Sequence, residues 1–258
     1  GWLGWTWAPR SDVLGNRVRV AQIAANAPCE DRWAAAQLPG GFLAAVFDGH
    51  GGWQVADLAA RRLPLLVREE LALPGPTPVE ERLRTAFARV EEEFVTAAAP
   101  AYALGFEQAA RTGACALLAV VLGGRLYVAN AGDSRGLLFA PGREPRKLNR
   151  RHSANSPREQ AELRARFPAE PEVVRCRAPG SCYVRGRLQP SRALGDLGLK
   201  RAEFNNPAGH PGLRRLEPFA GGYISAEPEL RVFELRGDEA ALLATDGLWD
   251  ELGVAEVG

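Results

Sequence analysis

The chain has 258 residues, with 32 Lys and Arg against 31 Asp and Glu, so its formal charge of +1 gives no global field toward nucleic acid or an anionic membrane. Hydrophobic residues make up 46% and charged residues 24%, which excludes a disordered chain and supplies a core without metal or disulfide staples. The 28 Gly and 19 Pro predict many turns, and the length suits one large domain or two small ones.

Residues 1–16 carry Trp2, Trp5 and Trp7 without clear periodicity and read as an edge strand or a lead-in segment. A strand is expected from Gly40 to Phe47, an apolar run closed by Asp48-Gly49. From Gln54 to Leu73, Val55, Leu58, Ala59, Leu63, Leu66 and Val67 recur at helical spacing, with a kink expected at Pro64. A second helix is marked by Thr77 as N-cap, Pro78 at the first helical position and Glu80 closing a capping box. Its apolar stripe runs through Val79, Leu83, Phe87, Val90 and Phe94.

Residues 116–122 and 125–130 then read as a hairpin about Gly123-Gly124, followed by a turn at Ala131–Ser134 and a strand at 135–140. A third helix starts at Ser156-Pro157 and ends at Pro168. The segments 175–187 and 201–215 read as long loops or insertions, and 229–235 with 240–244 as another hairpin about Arg236–Glu239. Tight turns between strands and a packed helix pair argue for α+β with antiparallel sheets. The apolar run 114–122 is too short to span a bilayer. Cys29, Cys115, Cys176 and Cys182 form no CxxC pair, so the expectation is four reduced thiols in an intracellular protein. With no Met anywhere, the sequence reads as a processed or excised piece of a longer chain.

Acidic residues recur beside glycine at predicted strand ends: Asp48-Gly49, Gly132-Asp133, Gly195-Asp196 and Asp246-Gly247, with Glu30-Asp31 upstream. Any one of them is ordinarily a turn. Together, at the ends of neighbouring strands, they would converge on one edge and repel each other unless cations fill the space. With only His50, His152 and His210 in the chain, the donors are oxygen-rich and suit Mg²⁺ or Mn²⁺ better than zinc. Two such ions suggest in-line displacement at phosphorus by a metal-activated water.

Val46-Phe47-Asp48-Gly49-His50-Gly51-Gly52 resembles the signature of the metal-dependent PPM family of Ser/Thr protein phosphatases, the type 2C class. Further matches follow in family order at Glu30-Asp31, Ala131–Arg135, Ser191–Asp196, Ala226–Glu229 and Ala244–Asp250. The resemblance implies a four-layer αββα sandwich of two antiparallel sheets flanked by helices, as a single domain over 1–258 truncated before its final strand, with an insert at 201–222. It also implies that Asp48 bridges two metals, that Glu30 and the Gly49 carbonyl hold one, and that Asp246 holds the other. Asp133 and Asp250, with Asp246, match positions for a weaker third ion. His50 matches the general acid, and Asp196 is expected to support the site without touching metal.

The family's phosphate-binding Arg is replaced by Asn26, its common Thr by Cys115, and the last Asp-Asn motif does not occur. Asn26–Arg32, His152–Glu159, the insert after Lys200 and Tyr223–Glu229 further resemble pyruvate dehydrogenase phosphatase catalytic subunits. That implies a mitochondrial matrix enzyme acting on the phosphorylated E1 component, docked on the lipoyl-bearing E2 core. The alternatives are a general type 2C phosphatase, cytoplasmic, acting on other phosphoproteins, and an inactive relative acting as a scaffold or regulator.

Overall fold

The structure is a computed structural model that describes residues 10–14, 17–24, 27–206 and 214–252. Strands β1 (Arg10–Val13) and β2 (Val18–Val20) form an antiparallel ribbon. Then come β3 (Arg32–Leu38), β4 (Gly41–His50), helices α1 (Gln54–Ala72) and α2 (Val79–Ala103), β5 (Gly113–Leu122), β6 (Arg125–Ala131), β7 (Arg135–Phe139) and β8 (Arg146–Lys147). The chain continues through α3 (Pro157–Arg166), β9 (Val174–Ala178), β10 (Ser181–Val184), β11 (Leu194–Gly195) and α4 (Leu197–Lys200). It closes with β12 (Glu229–Glu234), β13 (Ala240–Ala244) and α5 (Asp246–Trp249).

Two antiparallel sheets stack face to face. The larger runs β12-β6-β5-β4-β3 with β11 added beside β5, and the smaller runs β13-β7-β8. Strand period two sorts the core. Leu43, Ala45 and Phe47 of β4 and Ala116, Leu118 and Val120 of β5 face α1 and α2, packing on Leu63, Leu66, Leu83, Phe87 and Val90. The alternate residues Leu117 and Ala119, with Leu126 and Val128, face Leu138 and Leu148 on the second sheet's side. β5 is therefore covered on both faces, which explains its unbroken apolar run. The antiparallel sandwich with flanking helices is as expected.

At Gly123-Gly124 both residues have positive φ (58° and 75°), as a two-residue hairpin turn demands. α1 passes through Pro64, and α2 starts one residue later than the capping pattern suggests. Pro78 is the N-cap, and the Thr77 carbonyl instead accepts a bond from the Arg82 guanidinium at 3.1 Å.

Three other expectations are corrected. First, β12 and β13 are not a hairpin: β12 pairs with β6 in the large sheet and β13 with β7 in the small one. The turn residues fold locally, with Glu239 accepting the Arg236 and Gly237 N–H groups at 2.8 and 2.9 Å, but the free edges of β6 and β7 decide where each strand goes. Second, 175–187 is not a loop: β9 and β10 form a ribbon that covers a small separate core with α3, Tyr223 and Ile224. Third, the register places Cys176 opposite Cys182, and the two are joined as a disulfide, leaving Cys29 and Cys115 as thiols.

Gly41 shows how tightly the large sheet is built. A Cβ there would lie 1.9 Å from the Val121 carbonyl oxygen, a main-chain atom held in β5. Gly41→Ala is expected to destabilise the fold by about 1–3 kcal/mol or to break the β4–β5 register at that end. Urea unfolding should show the loss as a lower midpoint, and an unchanged midpoint would mean this end of the sheet is looser than described.

Candidate metal centre

The site sits where strands of both sheets end. Asp48 lies near the end of β4, opposite Cys115 of β5. Asp133 follows β6, and Asp246 follows β13 as the first residue of α5. Because β6 and β13 belong to different sheets, stacking the sheets brings these carboxylates together. One oxygen from each of Asp48, Asp133 and Asp246 lies within 4.8 Å of the others. Glu30 and Asp250, the other carboxylates expected here, stand outside this trio. The main chain of Glu30 packs on Gly49, where a Cβ would meet the Glu30 carbonyl oxygen at 2.5 Å. Asp250 is exposed, its N–H bonded to the Asp246 carbonyl at 2.8 Å. Asn26 lies outside the described residues.

Crowding dominates the electrostatics. Burial, then the charges of Asp246, Asp31 and Asp133, push Asp48 up to about 8. Asp133 is also raised, by burial first, although the Cys115 thiol bonded to its Oδ1 at 3.2 Å opposes this. Burial and the neighbouring carboxylates hold that thiol well above its usual range, so it stays a neutral donor. Asp31 was legible only as half of a motif. Its Oδ2 accepts the Thr245 hydroxyl at 3.0 Å, tying the start of β3 to the end of β13.

This donor set fits a hard divalent cation. It is all oxygen, closely spaced and destabilised by its own charge. Because the folded state raises the Asp48 pKa from 3.8 to about 8, the metal-free fold binds more protons than the unfolded chain across that window. Its stability is therefore expected to fall as pH rises from about 4 to about 8. Saturating Mn²⁺ or Mg²⁺ should restore roughly 5–10 °C of melting temperature near the top of that window and little near the bottom. Scanning fluorimetry across pH checks both signs. A metal shift that ignores pH would mean the trio is not where the cation binds.

His50, the last residue of β4, is aimed by a second constellation. Its Nε2 lies 2.7 Å from Oδ2 of buried Asp196. Asp196 sits in the left-handed region (φ 51°), its N–H bonded to the Thr112 carbonyl at 2.9 Å. Gly113 makes room, since a Cβ there would lie 2.0 Å from the Asp196 carboxylate and 2.5 Å from His50 Nε2. Behind them Glu91 of α2 accepts the Gly195 N–H at 2.8 Å and pairs with Lys200 at 2.6 Å, so α2 anchors the loop holding Asp196. Burial pulls the His50 pKa down, but Asp196 overrides it and the net shift is upward. The structure thus gives Asp196 a definite task.

His152 is a framework residue. It is buried, and its Nδ1 accepts the Gly132 N–H at 3.3 Å, fixing the turn that presents Asp133. Glu159 accepts the Ser191 hydroxyl, joining α3 to the segment leading to Asp196. Both ends of the segment His152–Glu159 therefore have internal structural roles.

The family model of "Protein phosphatase 2C" matches residues 24–257. The chain belongs to this family. It is 34% identical over 245 residues to "Probable protein phosphatase 2C 61" of Oryza sativa subsp. japonica, covering 90% of this chain and 64% of that protein. With "Probable protein phosphatase 2C 64" of Arabidopsis thaliana it shares 32% identity, over 84% of this chain and 55% of the relative. The chain thus spans somewhat over half the length of these relatives. The fold is shared with a solved structure of a C. elegans sex determining protein at TM-score 0.67 and 24% identity, covering 88% of this chain and 50% of that one.

Proposed function

We propose that this chain belongs to a metal-dependent phosphatase that hydrolyses phosphoserine and phosphothreonine on proteins. The observation that carries the reading is the carboxylate trio drawn from both sheets, with a carboxylate-aimed histidine at the end of β4. Asp48, Asp133 and Asp246 would hold the cations, Mg²⁺ or Mn²⁺, together with Glu30, the Gly49 carbonyl and Asp250. Bound there, such ions supply an activated water and neutralise charge on the phosphoryl group.

The chain's own residues do the rest. His50, kept protonated to higher pH by Asp196, delivers a proton to the departing serine or threonine oxygen. Cys115 and Thr245 hold the carboxylates of Asp133 and Asp31 in place. The retained trio favours an enzyme over an inactive relative.

The finer reading, a mitochondrial enzyme acting on pyruvate dehydrogenase E1 beside its E2 core, rests on segment resemblance. His152–Glu159 loses weight there, because His152 and Glu159 are accounted for by internal bonding. The full-length chain should release phosphate from a phosphoserine peptide with Mn²⁺ and not with EDTA. Absence of metal-dependent release would overturn the phosphatase reading. Faster action on phosphorylated E1 with its core than on an unrelated phosphoprotein would support the finer one, and equal rates would remove it.

A further inference from the structure

Away from the carboxylate trio, one group of arginines makes no ion pair with a carboxylate among the described residues. The turn after β10 carries Arg185, Gly186 and Arg187. Arg185 is fixed: it pairs with buried Glu170 at 2.7 Å, donates to the Pro218 carbonyl at 2.9 Å and lies 5.1 Å over the Tyr223 ring. The Tyr223 hydroxyl donates to the same Glu170 carboxylate at 2.8 Å, so the turn has a rigid base.

Arg187, two residues on, is half-buried, and its guanidinium donates to the Arg214 carbonyl. Among the described residues no carboxylate is in ion-pair contact with Arg187, Arg214 or Arg111, in contrast to Arg185 on Glu170. Burial first, then the charges of Arg111, Arg214 and Arg185, hold the Arg187 guanidinium below its ordinary range. The intervening residues 207–213 contain no Asp or Glu that could neutralise the group. Arginines gathered this way without an anion are unfavourable, and their planar forks match carboxylate and phosphate oxygens.

Arg111 is the member that borders the catalytic end. Arg111 directly precedes Thr112, whose hydroxyl donates to the Gly51 carbonyl at 3.2 Å and whose carbonyl holds the Asp196 N–H at 2.9 Å. The Arg111 carbonyl itself lies against Gly51, where a Cβ would approach it to 2.7 Å. Gly51 follows His50 in the chain.

We propose that Arg111, Arg187 and Arg214 form a cationic rim on the His50 side of the site. This rim takes an acidic or additionally phosphorylated stretch of the protein substrate flanking the reacting phosphoserine or phosphothreonine. It deepens the phosphatase reading and rests on it. With a net charge of +1, the preference is local to the rim and not a property of the whole surface. Asp/Glu side chains and a second phosphate share the chemistry that arginine reads, and the test separates them.

Fluorescence anisotropy on the full-length protein in EDTA measures binding without turnover. Three labelled phosphoserine peptides are compared, with neutral flanks, Asp/Glu flanks and a second phosphoserine. At low salt at least one anionic peptide should bind about tenfold more tightly than the neutral one, with the gap closing at high salt. Which of the two does so identifies the anion. The double variant Arg111→Glu with Arg187→Glu should abolish the gap, and the milder Arg187→Gln should narrow it with an unchanged melting temperature. Equal affinity for all three peptides overturns the rim, as does a gap untouched by the variants. Capture by anionic lipid vesicles without peptide preference also overturns it. Metal-dependent turnover of p-nitrophenyl phosphate, run in parallel, reports on the phosphatase reading alone. Its absence would sink that reading while anisotropy still decides whether the rim binds anionic peptides.

Discussion

Asp48→Asn is expected to lower phosphatase turnover of the full-length chain by about 10³-fold or more, some 4 kcal/mol of transition-state stabilisation. The reason is geometric: Asp48 is the β4 member of the trio, and burial and then its neighbours' charges push its carboxyl up to about 8. The same substitution should stabilise the metal-free protein. In the wild type the crowded carboxylate opposes folding increasingly as pH rises from about 4 to about 8, and a neutral amide removes that cost. Near pH 8 the gain should be on the order of a few kcal/mol, and near pH 4 close to nothing. Opposite signs for activity and metal-free stability identify a ligand carboxylate. Loss of both would mark Asp48 as a framework residue, and retention of turnover in EDTA would remove metal from the mechanism.

The second large effect concerns the residue that aims His50. Asp196→Asn should slow hydrolysis of a phosphoserine peptide by about 10–100-fold, part of the 10²–10⁴-fold that a positioned general acid contributes. The sign of the pH effect follows from the upward shift of His50. A general acid works while protonated, so activity falls as pH rises through its pKa. Without the Asp196 carboxylate that fall should move to lower pH. The linked stability has the matching sign: the His50–Asp196 pair contributes most below the unfolded histidine pKa and is lost as pH rises through the folded one. p-Nitrophenyl phosphate, whose leaving group needs no proton, should be hydrolysed by the variant at close to the wild-type rate. Equal losses on both substrates, with no shift of the pH profile, would mean that Asp196 serves only the fold.

Much of the architecture is written locally. Alternation in β4 and the apolar stripes of α1 and α2 encode which face is buried, because periods of two and 3.6 map directly onto strand and helix geometry. Two glycines between β5 and β6 encode their own turn, since both positions take positive φ. The acidic residues of the Asp-Gly and Gly-Asp pairs, at or near strand ends, were legible because each stands beside a glycine that the sequence itself displays. It was the resemblance of their ordered set to a known family that brought Asp48, Asp133, Asp246 and His50 forward as site residues.

What remained hidden depends on which distant segments meet. The 236–239 turn looks like a hairpin in sequence, yet its strands leave for different sheets, because partner choice is set by the free edges of β6 and β7. Cys176 and Cys182 carry no pairing signal until the Pro179-Gly180 turn and the β9–β10 register place them opposite each other. Asp196 is 146 residues from His50, and only the addition of β11 to the end of β5 brings them within hydrogen-bond distance. Arg111, Arg187 and Arg214 look in the sequence like ordinary surface charges, and only folding brings the charges of 111 and 214 to bear on 187. Sequence by itself determined the elements, the buried faces and the chemical type of the site, since these follow from torsional preference and residue chemistry within a few positions. Tertiary structure alone decided sheet membership, the disulfide, the partner of His50 and the arginine rim, since each requires contacts between segments whose separation along the chain carries no local energetic signature.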